Sequence, residues 1–172
     1  EEMSPAQWFL FAATLWLPWV LAGSYLLIHF FNARGVVANI VDWWFIHNFA
    51  RVYLTFVGLG TLFHFLPAMT GRALEGRGHA KFAFWVLLLF GSVGGVGPGA
   101  PVPAWLPALS TVSAVFYFFG VIAVWVSLKQ TINGASSADT ADSLAYNLMR
   151  LAALIFISMG VLNVFFAFPG PG

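Results

Sequence analysis

The sequence predicts an all-α fold: a polytopic integral membrane bundle of about five transmembrane helices, forming a single domain over residues 1–172. Three features predict it. Hydrophobic residues make up 60% of the chain and charged residues only 8%, where a soluble domain carries about 25% charged residues. Seven basic and six acidic side chains cannot cover the surface of a water-soluble fold of this length, and the mean hydropathy is +0.87. The apolar residues fall in long runs, most of them reaching the roughly 20 residues a helix needs to cross the hydrocarbon layer. Short Gly-, Pro- and polar-rich stretches separate the runs.

The first run spans about 7–31, and Ser4-Pro5-Ala6-Gln7 marks its start as a capping box with Pro at the first helical position. Pro18 falls inside it, which lipid-embedded helices tolerate when neighbours re-satisfy the freed carbonyl. The second spans about 43–69 and contains His47, Arg51 and His64. The stretch from Phe82 to Leu128 carries no charge and is too long for one helix. The Gly97-Pro98-Gly99-Ala100-Pro101-Val102-Pro103 segment breaks it, because a helix cannot continue through it. That gives a short third span at about 81–96 and a fourth at about 105–128. The polar stretch from Asn133 to Ser143 is a loop, and the fifth span covers about 144–168. Connections this short make an up-and-down bundle.

Lys and Arg near the span ends set orientation. Arg72, Arg77, Lys81, Lys129 and Arg150 fall on one side, Arg34 and Arg51 on the other. The first side is expected in the cytoplasm, of a bacterial inner membrane, with the amino terminus inside and the carboxy terminus outside. Glu1 is not an initiator Met, so a processed, trimmed or partial chain is expected, and Glu1 and Glu2 stand where a signal peptide would be basic.

A net charge of +1 offers no basic patch for nucleic acid. Cysteine is absent, which removes disulfides, thiolate metal sites, iron–sulfur clusters and covalent haem attachment. Any metal or haem must therefore use His, Met, Tyr or carboxylate. Ionisable groups within a span mark functional sites. His47 and Arg51 lie four apart, on one face of the second helix. His29 ends the first span and His47 begins the second, so an antiparallel hairpin is expected to hold them at similar depth, as the two axial ligands of a haem b. His64 and His79 form a comparable pair on the other side. The commoner role of each is a plain hydrogen bond to headgroups or carbonyls. Asp42 is expected to cap the second helix rather than pair with Arg51.

Trp43-Trp44-Phe45-Ile46-His47-Asn48, followed by Leu54-Thr55, Leu59-Gly60, Phe65 and Pro67, resembles the sixth helix of haem-copper oxidase subunit I. The nearest likeness is to the C-family cytochrome c oxidases, with nitric oxide reductases next. It continues without a gap through Phe84-Trp85 to Gly97-Pro98 and Trp105, covering Asp42 to Gly134. The first and fifth spans fit the family's fifth and ninth helices by position only. The resemblance implies that His47 stands where one of three histidines binds the active-site copper, or a non-haem iron in the reductases. The other two form a His-His pair just after the Gly-Pro, where this chain has Gly99 and Ala100. The family's haem-ligating helices have no counterpart here. His47 is thus expected to be a vestigial metal position, since one imidazole does not fix copper geometry and Arg51 adds a positive charge one turn away.

The function these readings predict is a non-catalytic accessory subunit of a respiratory, haem-copper oxidase-like electron-transfer complex, with no cofactor of its own. The alternative is a fragment or split part of a catalytic subunit I, or a small haem b-binding cytochrome. Partners are expected to be lipid and other integral membrane subunits. Small residues notch the spans at Gly58, Gly60, Gly91 to Gly95, Ser158 and Gly160. The fifth span is expected to face a partner, because Arg150, Ser158 and Asn163 need polar neighbours at membrane depth.

Overall fold

The computed structural model describes residues 3–71, 73–97, 100–133 and 144–168. Among them are five helices and no strand: α1 (Pro5–Phe30), α2 (Val36–Thr70), α3 (Arg77–Ser92), α4 (Trp105–Asn133) and α5 (Leu144–Ala167). All but α3 are long and apolar enough to cross a membrane. With 16 residues, α3 reaches only about 24 Å, short of a perpendicular crossing. Its length matches the expected third span, but it lies four residues earlier. Gly94 and Gly95 take φ of +121° and +91°, a conformation no helix can include, and α3 stops before them.

The start of α1 forms as its sequence dictates. The Gln7 amide donates to Ser4 Oγ at 3.3 Å and the Ser4 amide to Gln7 Oε1 at 2.8 Å. Two orphan donors of the first turn are thereby satisfied. The helix continues through Pro18 and widens to a π turn over Leu26–Phe30. Asn32 (φ +54°) and Gly35 (φ +61°) then reverse the chain within five residues. For this reason α2 begins at Val36, seven residues before the expected start. Asp42 therefore lies in the second turn of α2, exposed, and is not its cap. At its far end α2 closes on Gly71, whose left-handed backbone lets its amide reach the Pro67 carbonyl.

The most extensive packing is between α3 and α4, followed by α1 against the second half of α2, and α4 against α5; α2 touches all four other helices. The core gathers Phe9 from α1, Phe56 and Phe63 from α2, Phe84 and Leu87 from α3, and Val121, Val124 and Leu128 from α4. Outside it the surface is overwhelmingly apolar: Phe11, Trp19, Phe30, Trp85, Phe119, Leu151 and Phe165 are each about half exposed or more. A surface of that kind belongs in lipid.

Gly60, Gly91 and Gly160 are used inside the bundle. A Cβ on Gly60 would come within 2.7 Å of Leu10, one on Gly91 within 3.1 Å of Tyr117, and one on Gly160 within 2.8 Å of Val121. The expectation that α5 presents Gly160 outward is therefore corrected: its notch receives α4. Ser158 returns its hydroxyl to the Leu154 carbonyl of its own helix. Gly58 faces open space.

Candidate functional site

Polar groups from four helices gather around a wide turn in α2. Phe49–Leu54 is π-helical, so the hydrogen-bond ladder slips by one residue and carbonyls on that turn become available. Two side chains take them. Thr55 Oγ1 donates to the Ala50 carbonyl five residues back at 3.2 Å, and the Tyr117 hydroxyl of α4 donates to the Arg51 carbonyl at 3.4 Å. A π turn held in this way rotates the residues on either side of it relative to a regular helix. Upstream, Asn48 is fully buried: its amide donates to the Trp44 carbonyl at 2.9 Å and the Ser92 carbonyl at 3.2 Å, and its Oδ1 accepts from Trp16 Nε1 at 3.1 Å. One amide thus ties α1, α2 and α3 together.

Arg51 extends from the π turn toward α5, where its guanidinium donates to Asn163 Oδ1. It also lies over the Tyr117 ring at 5.2 Å from the centroid, a cation–π arrangement. His47, one turn earlier, enters the same space. Its Nε2 is buried and has no hydrogen-bond partner. The glycines after α3 close over its other side. A Cβ on Gly95 would fall 2.6 Å from His47 Cβ, and one on Gly94 3.6 Å from Nε2. Glycine meets both needs there, close approach and a left-handed φ.

These groups line a cavity of about 190 Å³. His47 and Arg51 form one wall, Gly91 to Gly97 a second, Ser110, Thr111 and Tyr117 of α4 a third, and Asn163 with Phe166 of α5 a fourth. Two hydroxyls hold the walls together. Ser110 Oγ accepts from the Val96 amide at 3.3 Å and donates to the Leu106 carbonyl at 3.1 Å. Thr111 Oγ1 reaches the Ala167 carbonyl at the end of α5, at 2.8 Å.

The His47 and Arg51 of the sequence reading thus meet in one cavity, but His29 is not among its lining residues. The reason is helical register. Trp16 meets Asn48, Phe9 meets Phe56, and Gly23 packs on Trp44. Antiparallel helices in that register set His29 level with about residue 38, some nine residues or about 14 Å from the level of His47. The expectation of equal depth fails because the hairpin turn lies at residues 31–35, not nearer 43. His29 is exposed, with its ring 4.6 Å from that of Tyr25. His64 and His79 are also exposed.

The donor set does not fit the cofactors that the resemblance implies. The cavity holds one imidazole and one guanidinium beside the neutral groups of Ser110, Thr111, Tyr117 and Asn163, and among the described residues no three of His, Cys, Asp and Glu are grouped to hold a metal ion. A divalent cation needs several donors and no fixed positive charge among them. A haem b held between His29 and His47 is not served either, given their difference in depth. Asn163, Tyr117, Ser110 and Thr111 had no place in the site read from sequence. Asn163 carried a signal, an amide at membrane depth, but its partner is Arg51 rather than another subunit. No family model matches the chain, nor does any curated protein or solved structure.

Proposed function

We propose that the chain is a non-catalytic, accessory membrane subunit of a respiratory complex related to the haem-copper oxidases. The observation that carries this reading is the pairing of His47 with Arg51 in one cavity. The imidazole stands at the motif position that resembles the family's copper ligand, and a guanidinium bonded to Asn163 occupies the space beside it. A cation fixed to the protein takes the role of a positive centre without bringing redox chemistry. The resemblance from Asp42 to Gly134 supports a shared ancestry, and the glycine-lined approach to His47 suits a helix pair once shaped around a ligand. The reading includes a bacterial inner membrane, with the Arg77 and Lys81 end of α3 in the cytoplasm; the bias of basic residues supports that orientation.

The test is solubilisation from the native membrane in mild detergent, followed by optical spectroscopy and metal analysis. The expected outcome is co-purification with a stoichiometric membrane companion that carries the haem. A chain that runs alone, or one that holds its own copper or haem and loses it in His47→Ala, would overturn the proposal in favour of a catalytic fragment or a small cytochrome. Orientation is checked separately with Gly78→Cys, since the chain has no other cysteine and a side chain there meets nothing within 4 Å. Labelling by an impermeant reagent is expected only after the cells are opened.

A further inference from the structure

The cavity beside His47 contains an imbalance of charge and hydrogen bonding that the bundle itself does not resolve. Arg51 has five N–H donors and a permanent charge. Its contacts are the Asn163 amide and the ring and hydroxyl of Tyr117, all neutral, which leave that charge uncompensated. Among the described residues, no acidic residue lines the cavity. Of the acidic residues in the described part of the chain, Asp42 is exposed nine residues before Arg51, and the Glu75 carbonyl is bonded to Ser127 and Thr131 far along α4. An ionised side chain inside a membrane bundle is costly unless it is paired. In the same cavity, His47 Nε2 is buried without a partner, which is a second unsatisfied polar group. Both deficits face one space, and an anion would satisfy both.

We infer that the cavity is a binding site for a small planar oxyanion, of the carboxylate, nitrate or hydrogencarbonate class. The guanidinium presents a planar fork that matches two oxygens of such an anion. The third oxygen of nitrate or hydrogencarbonate, or the second lone pair of one carboxylate oxygen, meets His47 Nε2, accepting from it where Nε2 carries the proton. A hydrogencarbonate would instead offer its O–H to the Nε2 lone pair. Size admits the class. The volume of about 190 Å³ has room for a four-atom oxyanion with several waters. It lies below the roughly 300–1,000 Å³ of sites for larger organic ligands. The lining runs past the end of α3 to Gly97 and to Ala167, the last residue of α5, and an ion enters from that end. This inference rests on the cavity alone, so it stands or falls apart from the respiratory assignment.

The experiment uses the detergent-purified full chain in a buffer whose own anion is too bulky for the cavity, at constant ionic strength. Formate, nitrate, hydrogencarbonate and chloride are each titrated by thermal unfolding, and labelled formate is followed by equilibrium dialysis. A saturable rise in Tm with the oxyanions and one bound formate per chain are expected. Hydrogencarbonate binding more tightly than nitrate and formate would support the site with the lone pair on Nε2; equal binding would support it with the proton there. Arg51→Gln should weaken formate binding by about tenfold or more, since a charge-assisted pair is lost. Ala114→Leu keeps both polar groups but fills the cavity wall, so it should abolish binding and carries the test should Arg51→Gln not fold. A response to chloride alone, no saturable binding, or binding that survives Ala114→Leu would each overturn the inference.

Discussion

The two ends of α2 solve the membrane's packing problem in different ways. From Phe56 onward the helix presents aromatic and aliphatic side chains to α1, α3 and α4. Phe56 meets Phe9 at 4.9 Å and Phe84 at 5.4 Å between ring centres, and Phe9 meets Phe84 at 5.3 Å. No polar group needs satisfying there, and cohesion comes from dispersion and ring geometry. From His47 to Arg51 the same helix holds an imidazole and a guanidinium against Tyr117 and Asn163, around a cavity. At the aromatic end an apolar side chain of similar volume can take the place of another. At the cavity end the polar partners are specific, and removing one leaves another unpaired. The π turn over Phe49–Leu54 is the joint between them. The comparison teaches that stability and recognition are divided along a single helix.

The largest expected effect tests the packed end. Phe56→Ala, at a position fully buried against the Phe9 and Phe84 rings, should cost roughly 3–5 kcal/mol. Detergent-induced unfolding in mixed micelles measures it. A loss below about 1 kcal/mol would mean that lipid fills the gap and the aromatic cluster is not the source of cohesion.

Next is the polar end. Asn163→Leu leaves the Arg51 guanidinium without its hydrogen-bond acceptor, and should cost about 1.5–3 kcal/mol. The double variant Arg51→Met with Asn163→Leu should be more stable than Asn163→Leu alone, because it removes the stranded charge with its partner. Additive single effects in the same unfolding assay would sink the pairing.

Gly160→Leu bears on how α5 is held. Its new side chain would strike Val121 of α4, and overpacking of this kind costs about 1–3 kcal/mol. The loss should appear in the isolated chain. Loss of a partner with no change in the chain's own stability would return Gly160 to the outer surface. The smallest effect is expected for His47→Leu. Nε2 has no partner to lose and the ring's polar contacts are with the backbone of Gly91 and Val93, so replacing it with an apolar group of similar size should cost about 1 kcal/mol. A large loss would reveal a hydrogen bond to a resident ligand.

The sequence by itself determined the membrane class, the helical content, the capping box at Ser4 and Gln7, and the break after α3. It also determined that His47 and Arg51 share a face. Each of these is set by local chemistry: the length of apolar runs, the missing N–H of proline, the φ freedom of glycine, and the 3.6-residue period. Tertiary structure alone decided the rest. A chain this apolar has little hydrophobic contrast around its helices, so periodicity does not say which face turns inward. Facing is chosen instead by notches such as Gly60 and Gly160 and by the few polar pairs that can meet across helices. That is why Asn163 found Arg51 inside the chain, why a turn at Asn32 and Gly35 separated His29 from His47, and why the cavity formed where the fold brought two unsatisfied groups to one space.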